Sequence, residues 1–267
     1  MHSVLRKHRM REDETPLKGR SIAPTNTARQ SGIYHSMTIG VTDSGIGGLT
    51  VLAALIKRRC GDDYLYLADG ANLPYGDKRP ERLREIALEN ARRLEREGAN
   101  VIVFGCNTLS VTSLDYVRKR IKAPVFGLRP RPELLIGRAV LMTTPTTAEY
   151  LPKIEPNVSP LTPPKLASLI DADYPHLGRV KEYLSPLLVP YEGVESVYLG
   201  CSHYLYAKEV IAELLPDAKI TDGVDALAAI VRAVLPVRGR KDPTVAFRFT
   251  GKSESERYAR ILTELIG

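Results

Sequence analysis

A chain of 267 residues, 43% hydrophobic and 26% charged, has the composition of an ordinary globular protein and can bury one large core or two modest ones. No apolar run reaches the roughly 18 residues of a membrane-spanning helix, so an integral membrane role is excluded and the cytoplasm is expected. Of the net charge of +7, the first 36 residues carry +4, from seven basic against three acidic residues. The rest is scattered over alternating-sign segments such as KRPERLREIALENARRLERE, so neither nucleic acid nor a membrane surface is an expected partner.

Residues 1–36 are polar and lack periodicity, and they hold no apolar segment of the secretory kind. They are expected to be a disordered tail or a non-native extension, and Glu12-Asp13-Glu14 argues against a transit peptide. The fold is expected to start at Met37. From there short apolar runs alternate with longer amphipathic ones, which predicts strand and helix units around mostly parallel sheets. Strands are expected at 38–42, 64–68, 101–105 and 124–127, with helices at 47–59, 80–97 and 110–121 between them and Gly98 as a C-terminal cap.

After RPRP at 129–132 the pattern begins again. RAVLMTT reads as a strand, a helix follows from about 145, and NVSPLTPPK reads as a Pro-rich stretch. Further helices are expected at 178–188 and 206–215 and strands at 196–200 and 218–221. DALAAIVRAVL then reads as a helix, TVAFRFTG as a strand and ESERYARILTELIG as a terminal helix. The fold class is thus α/β, with two similar α/β domains and a cleft between them.

Two strands end alike. VIVFGCNTLS runs into Cys106, Asn107 and Thr108, and VYLGCSHY runs into Cys201, Ser202 and His203. In open α/β sheets ligands bind beyond the carboxyl ends of strands, so both thiols are placed at a cleft. A cysteine at a helix start is expected to have a lowered pKa. His203 could tune Cys201, and Asp43 could play the matching part for Cys106. In DSGIGGLTV, Gly45, Gly47 and Gly48 would leave N–H groups uncovered at a helix start, better suited to a carboxylate than to a dinucleotide. Tyr75 and the Gly76 N–H, in LPYG, could line the same cleft.

Cys60 and His176 have no such neighbours and are assigned no role. Three widely spaced cysteines disfavour a disulfide framework, and no cluster has metal-ligand spacing. Two thiols on opposite walls fit a reaction that takes a proton from one face of a stereocentre and returns it to the other. Donors at the substrate carboxylate would stabilise the carbanion.

TDSGIGGLTVL, LPYGDK, FGCNTLS, LGCSHY and ITDGVDALA, in this order over residues 38–267, resemble the glutamate racemases of the cofactor-independent aspartate/glutamate racemase family. The resemblance implies an isomerase that interconverts L- and D-glutamate by two-base proton transfer, with no cofactor and no metal, and supplies D-glutamate for peptidoglycan. It implies Cys106 and Cys201 as the bases, assisted by Asp43 and His203. Ser44, Tyr75, Gly76, Asn107, Thr108 and Ser202 would hold the substrate's carboxylates and amino group.

The resemblance also implies a first domain of 37–130 with 224–267, a second of 131–223, and a possible homodimer. Gly105 stands where the family has alanine, Ser202 where it has threonine and Leu109, close to the cleft, where it has alanine. Asp171 takes the place of a supporting glutamate. Aspartate or a broader set of acidic amino acids is the alternative substrate, and a racemase-like binding or regulatory protein the alternative role.

Overall fold

The computed structural model describes residues 36–151, 154–235 and 242–267. The expectation of a tail over 1–36 therefore lies, except for Ser36, outside the described residues. β1 (Thr38–Asp43) is buried along almost its whole length, as a near-continuous apolar run at the centre of a parallel sheet must be. After α1 (Leu49–Lys57) come β2 (Asp63–Ala68), α2 (Pro80–Arg96), β3 (Val101–Phe104), α3 (Asn107–Arg118) and β4 (Val125–Gly127). These strands and β9 (Thr244–Phe249) form one parallel sheet in the order β4-β3-β1-β2-β9.

The second sheet, β6-β5-β7-β8, is also parallel. It is built from β5 (Ala139–Thr143), a four-residue α4 (Pro145–Ala148), β6 (Val158–Leu161), α5 (Leu166–Asp173), α6 (Gly178–Leu188), β7 (Ser196–Gly200), α7 (Lys208–Leu214) and β8 (Lys219–Thr221). The chain then returns to the first sheet, where α8 (Val224–Val234) and α9 (Ser255–Ile266) both pack on α1. The α/β class with two parallel sheets matches the expectation. Among the described residues no helix is long and apolar enough to cross a membrane.

Each sheet begins with a central strand whose neighbours lie on opposite sides: β1 between β2 and β3, and β5 between β6 and β7. The strand order reverses at those points, which opens a crevice at the carboxyl ends of the central strands. Asp43 ends β1 and Cys106 follows β3, while Thr144 and Cys201 follow β5 and β7.

Three elements differ from the sequence reading. NVSPLTPPK holds a strand, β6, with Pro160 inside it. It is an edge strand, where a residue without an N–H is tolerated. The short helix α5 was not anticipated. α3 starts at Asn107 rather than near 110, so Asn107 and Thr108 form its first turn with Cys106 as N-cap.

Candidate active site

Cys106 from the first sheet and Cys201 from the second line one small cavity, with Ser44, Tyr75, Gly76, Thr108, Thr144, Ala167 and His203 among its other walls. Its volume is about 10 Å³, room for about one water molecule. The lobes meet here through side chains that reach across. Ser202 Oγ donates to Asp43 Oδ2 at 2.8 Å, and Asp43 Oδ1 accepts the Ser44 N–H at 2.6 Å. Thr108 Oγ1 lies 2.9 Å from Thr144 Oγ1 and 3.0 Å from Thr147 Oγ1, and the last two are 2.9 Å apart.

Asp171, 125 positions from Ile46 in sequence, makes another of these bridges. Its Oδ2 accepts the Ile46 N–H at 2.9 Å and lies 2.9 Å from His203 Nε2. Arg257 on α9 sits 3.5 Å from Oδ1 and also donates to the Asp171 carbonyl. The glycine-rich loop thus receives a carboxylate, as its N–H groups invite, but this carboxylate belongs to the chain itself. The expectation of uncovered N–H groups is corrected at Ile46.

At Gly45 a Cβ would stand 1.9 Å from Asp171 Oδ2, so any larger residue must displace that carboxylate. Gly105 is crowded by backbone instead. A Cβ there would stand 2.8 Å from the Gly48 Cα, so the close pass of two backbones accounts for glycine where the family has alanine.

Burial is the largest influence on His203 and works against its charge. The Asp171 carboxylate and the Cys201 thiol hydrogen-bonded to the ring, with Asp43 nearby, outweigh it and hold the imidazole well above its usual value. Burial likewise opposes ionisation of Asp171, but His203, the Ile46 N–H and Arg257 hold its carboxyl below the usual range. The two therefore form an imidazolium–carboxylate pair. Asp43, fully buried, is pushed up chiefly by desolvation.

Cys106 departs from expectation. Its N-cap position does supply the Leu109 and Thr108 N–H groups, which lower the thiol pKa. Burial, then the Asp43 charge and Cys201, push it well up instead. The helix terminus is present, and desolvation overrides it.

The Tyr75 hydroxyl is engaged by side chains of its own lobe. It donates to Asp69 Oδ2 at 2.6 Å and accepts from Asn90 Nδ2 at 3.2 Å, while Asn72 and Thr250 complete the shell of Asp69. The Tyr75 ring lines the cavity, and the Gly76 carbonyl accepts from Thr146 Oγ1 at 2.7 Å across the lobes. Leu109 is fully buried in the cluster that holds Leu83, Ile86 and Phe104, between helix and sheet, and is not among the residues lining the cavity. Asn107 Oδ1 is buried without a hydrogen-bond partner among the described residues, one position from Cys106 and Thr108. Cys60 is buried near the Ala228 carbonyl and His176 is exposed, both away from the cavity.

Thr144, Thr147 and Asp69 were not singled out in the sequence. Thr144 and Asp69 each lie just past a strand's carboxyl end, so the rule that found the two cysteines could have found them as well. Among the described residues no group of three or more His, Cys, Asp and Glu could hold a metal ion.

No family model matches the chain. It is 30% identical over 250 residues to a glutamate racemase of Leptospira borgpetersenii serovar Hardjo-bovis (strain JB197), covering 86% of this chain and 96% of that one. The solved glutamate racemase of Thermus thermophilus, in complex with beta-chloro-D-alanine, superposes with a TM-score of 0.71 at 30% identity, over 87% of this chain and 93% of that one. Escherichia coli glutamate racemase, in complex with L-glutamate and the activator UDP-MurNAc-ala, superposes with a TM-score of 0.72 at 25% identity, over 86% of this chain and 96% of that one.

Proposed function

The chain belongs to the glutamate racemase family, and on that premise we propose how its cleft interconverts L- and D-glutamate. One thiolate removes the Cα proton, forming an S–H bond as the C–H bond breaks, and the electron pair passes into the substrate's α-carboxylate. The thiol on the other wall delivers its proton to the opposite face. The enzyme is left with the protonation of its two cysteines exchanged, ready for the reverse reaction. The observation that carries this reading is that Cys106 and Cys201, one from each sheet, line a single cavity.

The other groups divide the remaining work. The first turn of α3, with Thr108 and its N–H groups, stabilises charge developing on the α-carboxylate. Asn107 Oδ1, a buried acceptor, takes an N–H of the substrate ammonium, beside Asp43 and Ser44. Thr144, Thr147 and the Gly76 N–H take the distal carboxylate. The Asp171–His203 pair holds Cys201 in place and fixes the proton on the ring.

A cavity with room for one water cannot admit an amino acid. The lobes, residues 37–130 with 224–267 and residues 131–223, therefore act as two domains that part for each turnover. The product serves peptidoglycan synthesis in the cytoplasm.

Incubation with L-glutamate in deuterated water, without pyridoxal phosphate, tests this directly. D-glutamate deuterated at Cα should accumulate, and Cys106→Ser or Cys201→Ser should suppress it. L-aspartate assayed in parallel sets the substrate range. A chain that neither racemises these acids nor exchanges the Cα proton would end the reading.

A further inference from the structure

Arg257 stands in the first turn of α9, in the first lobe, and reaches into the second. Its guanidinium lies 3.5 Å from Asp171 Oδ1 and also donates to the Asp171 main-chain carbonyl. That carbonyl is among the last four of α5, which have no partner inside the helix, so one cation meets both a carboxylate and the negative end of a helix. Glu254 lies 3.4 Å from the guanidinium and steadies it from behind. The side chains of Arg257 and Asp171 are only 21% and 13% exposed, so salt and water screen the contact weakly.

The two oxygens of Asp171 face different cations. Oδ1 faces Arg257, while Oδ2 takes the Ile46 N–H and His203 Nε2, each at 2.9 Å. His203 has one ring nitrogen left, and it serves the Cys201 thiol. The groups form a line, Arg257 to Asp171 to His203 to Cys201, in which each touches the next. A cation on one oxygen of a carboxylate makes the other oxygen a weaker base. The proton shared between Oδ2 and Nε2 therefore stays with the ring.

We propose that Arg257 is a positioning residue for Cys201, which grips Asp171 from α9 and so keeps a charged imidazole beside the thiol. The inference rests on the two-cysteine reading of the cleft. Without the guanidinium, Asp171 draws the shared proton toward itself and the imidazole loses part of its charge. The enzyme form that holds its negative charge on Cys201 then loses support relative to the form that holds it on Cys106. Arg257 is not among the residues lining the cavity, so its effect on the chemistry passes through Asp171. Guanidinium and carboxylate belong to different lobes, so the line is complete only in the closed molecule, and Cys201 is readied as water is shut out.

Kinetics from both enantiomers test this. The two are present equally at equilibrium, so kcat/KM is the same from either side in every variant, and the evidence lies in kcat, KM and isotope effects taken separately. Arg257→Gln removes the charge and should change the ratio of the two kcat values roughly two- to thirtyfold, with the KM ratio following it. The Cα-deuterium isotope effect on kcat/KM should rise for the enantiomer that Cys201 deprotonates and fall for the other, because one of two transition states is raised. A merely structural loss lowers the active fraction, moves both kcat values together and leaves both isotope effects alone. Independently of turnover, the ring-proton resonance of His203, assigned by its absence in His203→Gln, should move downfield in Arg257→Gln as the bond to Asp171 tightens. Circular dichroism establishes folding, and Arg257→Lys, which keeps a charge and loses the planar fork, should show the same changes reduced and serves if the glutamine variant does not fold. An unmoved His203 resonance overturns the proposal, and so does a folded variant with the wild-type kcat ratio and isotope effects. A wild type that does not racemise ends the two-cysteine reading instead, and the His203 resonance then decides by itself whether Arg257 acts on the ring.

Discussion

Asp171→Asn keeps the shape of the side chain and removes its charge. It leaves His203 buried, 3% exposed, without its counter-ion, and weakens the bond from the Ile46 N–H that ties α5 to the glycine loop. Removing one partner of a buried ion pair costs about 3–5 kcal/mol. For a chain of this size that corresponds to a fall in Tm of roughly 10 °C. The pH dependence follows from the two shifts. Asp171 is held below its usual range, so its contribution is present above about pH 3.9 and is lost as pH falls through the folded value. His203 is held above its usual value, so its contribution is full below about pH 6.5 and is lost as pH rises through the raised folded value.

The stability gap between wild type and variant is therefore widest between these limits and narrows on both sides. Urea unfolding of the wild type, Asp171→Asn, His203→Gln and the double variant at a series of pH values measures the gap and the coupling. A coupling above about 1 kcal/mol is expected for two groups in contact. A neutral-pH loss below about 1 kcal/mol, or a gap flat with pH, would refute the assignment of an ion pair.

Two-base catalysis needs one thiolate and one thiol, so the alkaline limb of kcat/KM marks loss of the last thiol proton. With Cys106 pushed up by burial and Asp43, that limb should lie above the ordinary thiol value of about 8.5, and a limb at or below it contradicts the assignment. Gly45→Ala drives a methyl group into the Asp171 carboxylate and should cost about 1–3 kcal/mol of stability in a melt, with activity falling alongside. Thr144→Val removes a hydroxyl assigned to the distal carboxylate and should raise KM about ten- to hundredfold with a smaller effect on kcat. Tyr75→Phe removes the hydroxyl that donates to Asp69, which keeps Asn72, Asn90 and Thr250, and should cost about 1–3 kcal/mol in urea unfolding while kcat changes little.

The parallel sheets were legible because apolar runs of strand length alternate with amphipathic segments, and the two cysteines because each interrupts such a run at its end. β6 was hidden by Pro160, which only a place at a sheet edge makes acceptable. The first turn of α3 was hidden because Asn, Thr and Ser favour turns. Tertiary packing overrides that preference, and the hydroxyls of Ser110 and Thr112 bond back to the carbonyls of Cys106 and Thr108 at 2.7 and 2.8 Å. The rise in the Cys106 pKa could not be read at all, because a helix start is visible in a sequence and desolvation is not. Asp171 could be named from the motif, whereas its bond to Ile46 depends on how two lobes close.

That closure has an energetic consequence. Ser202 holds Asp43, and Thr108 holds Thr144 and Thr147, so the groups assigned to the substrate hold one another in the closed molecule. An arriving amino acid must displace them and gains only the difference between two sets of hydrogen bonds. The protein is in this sense its own competitive ligand. Such self-occupancy would weaken the binding of both enantiomers and of the carbanion between them by the same amount, and so would raise KM without raising kcat.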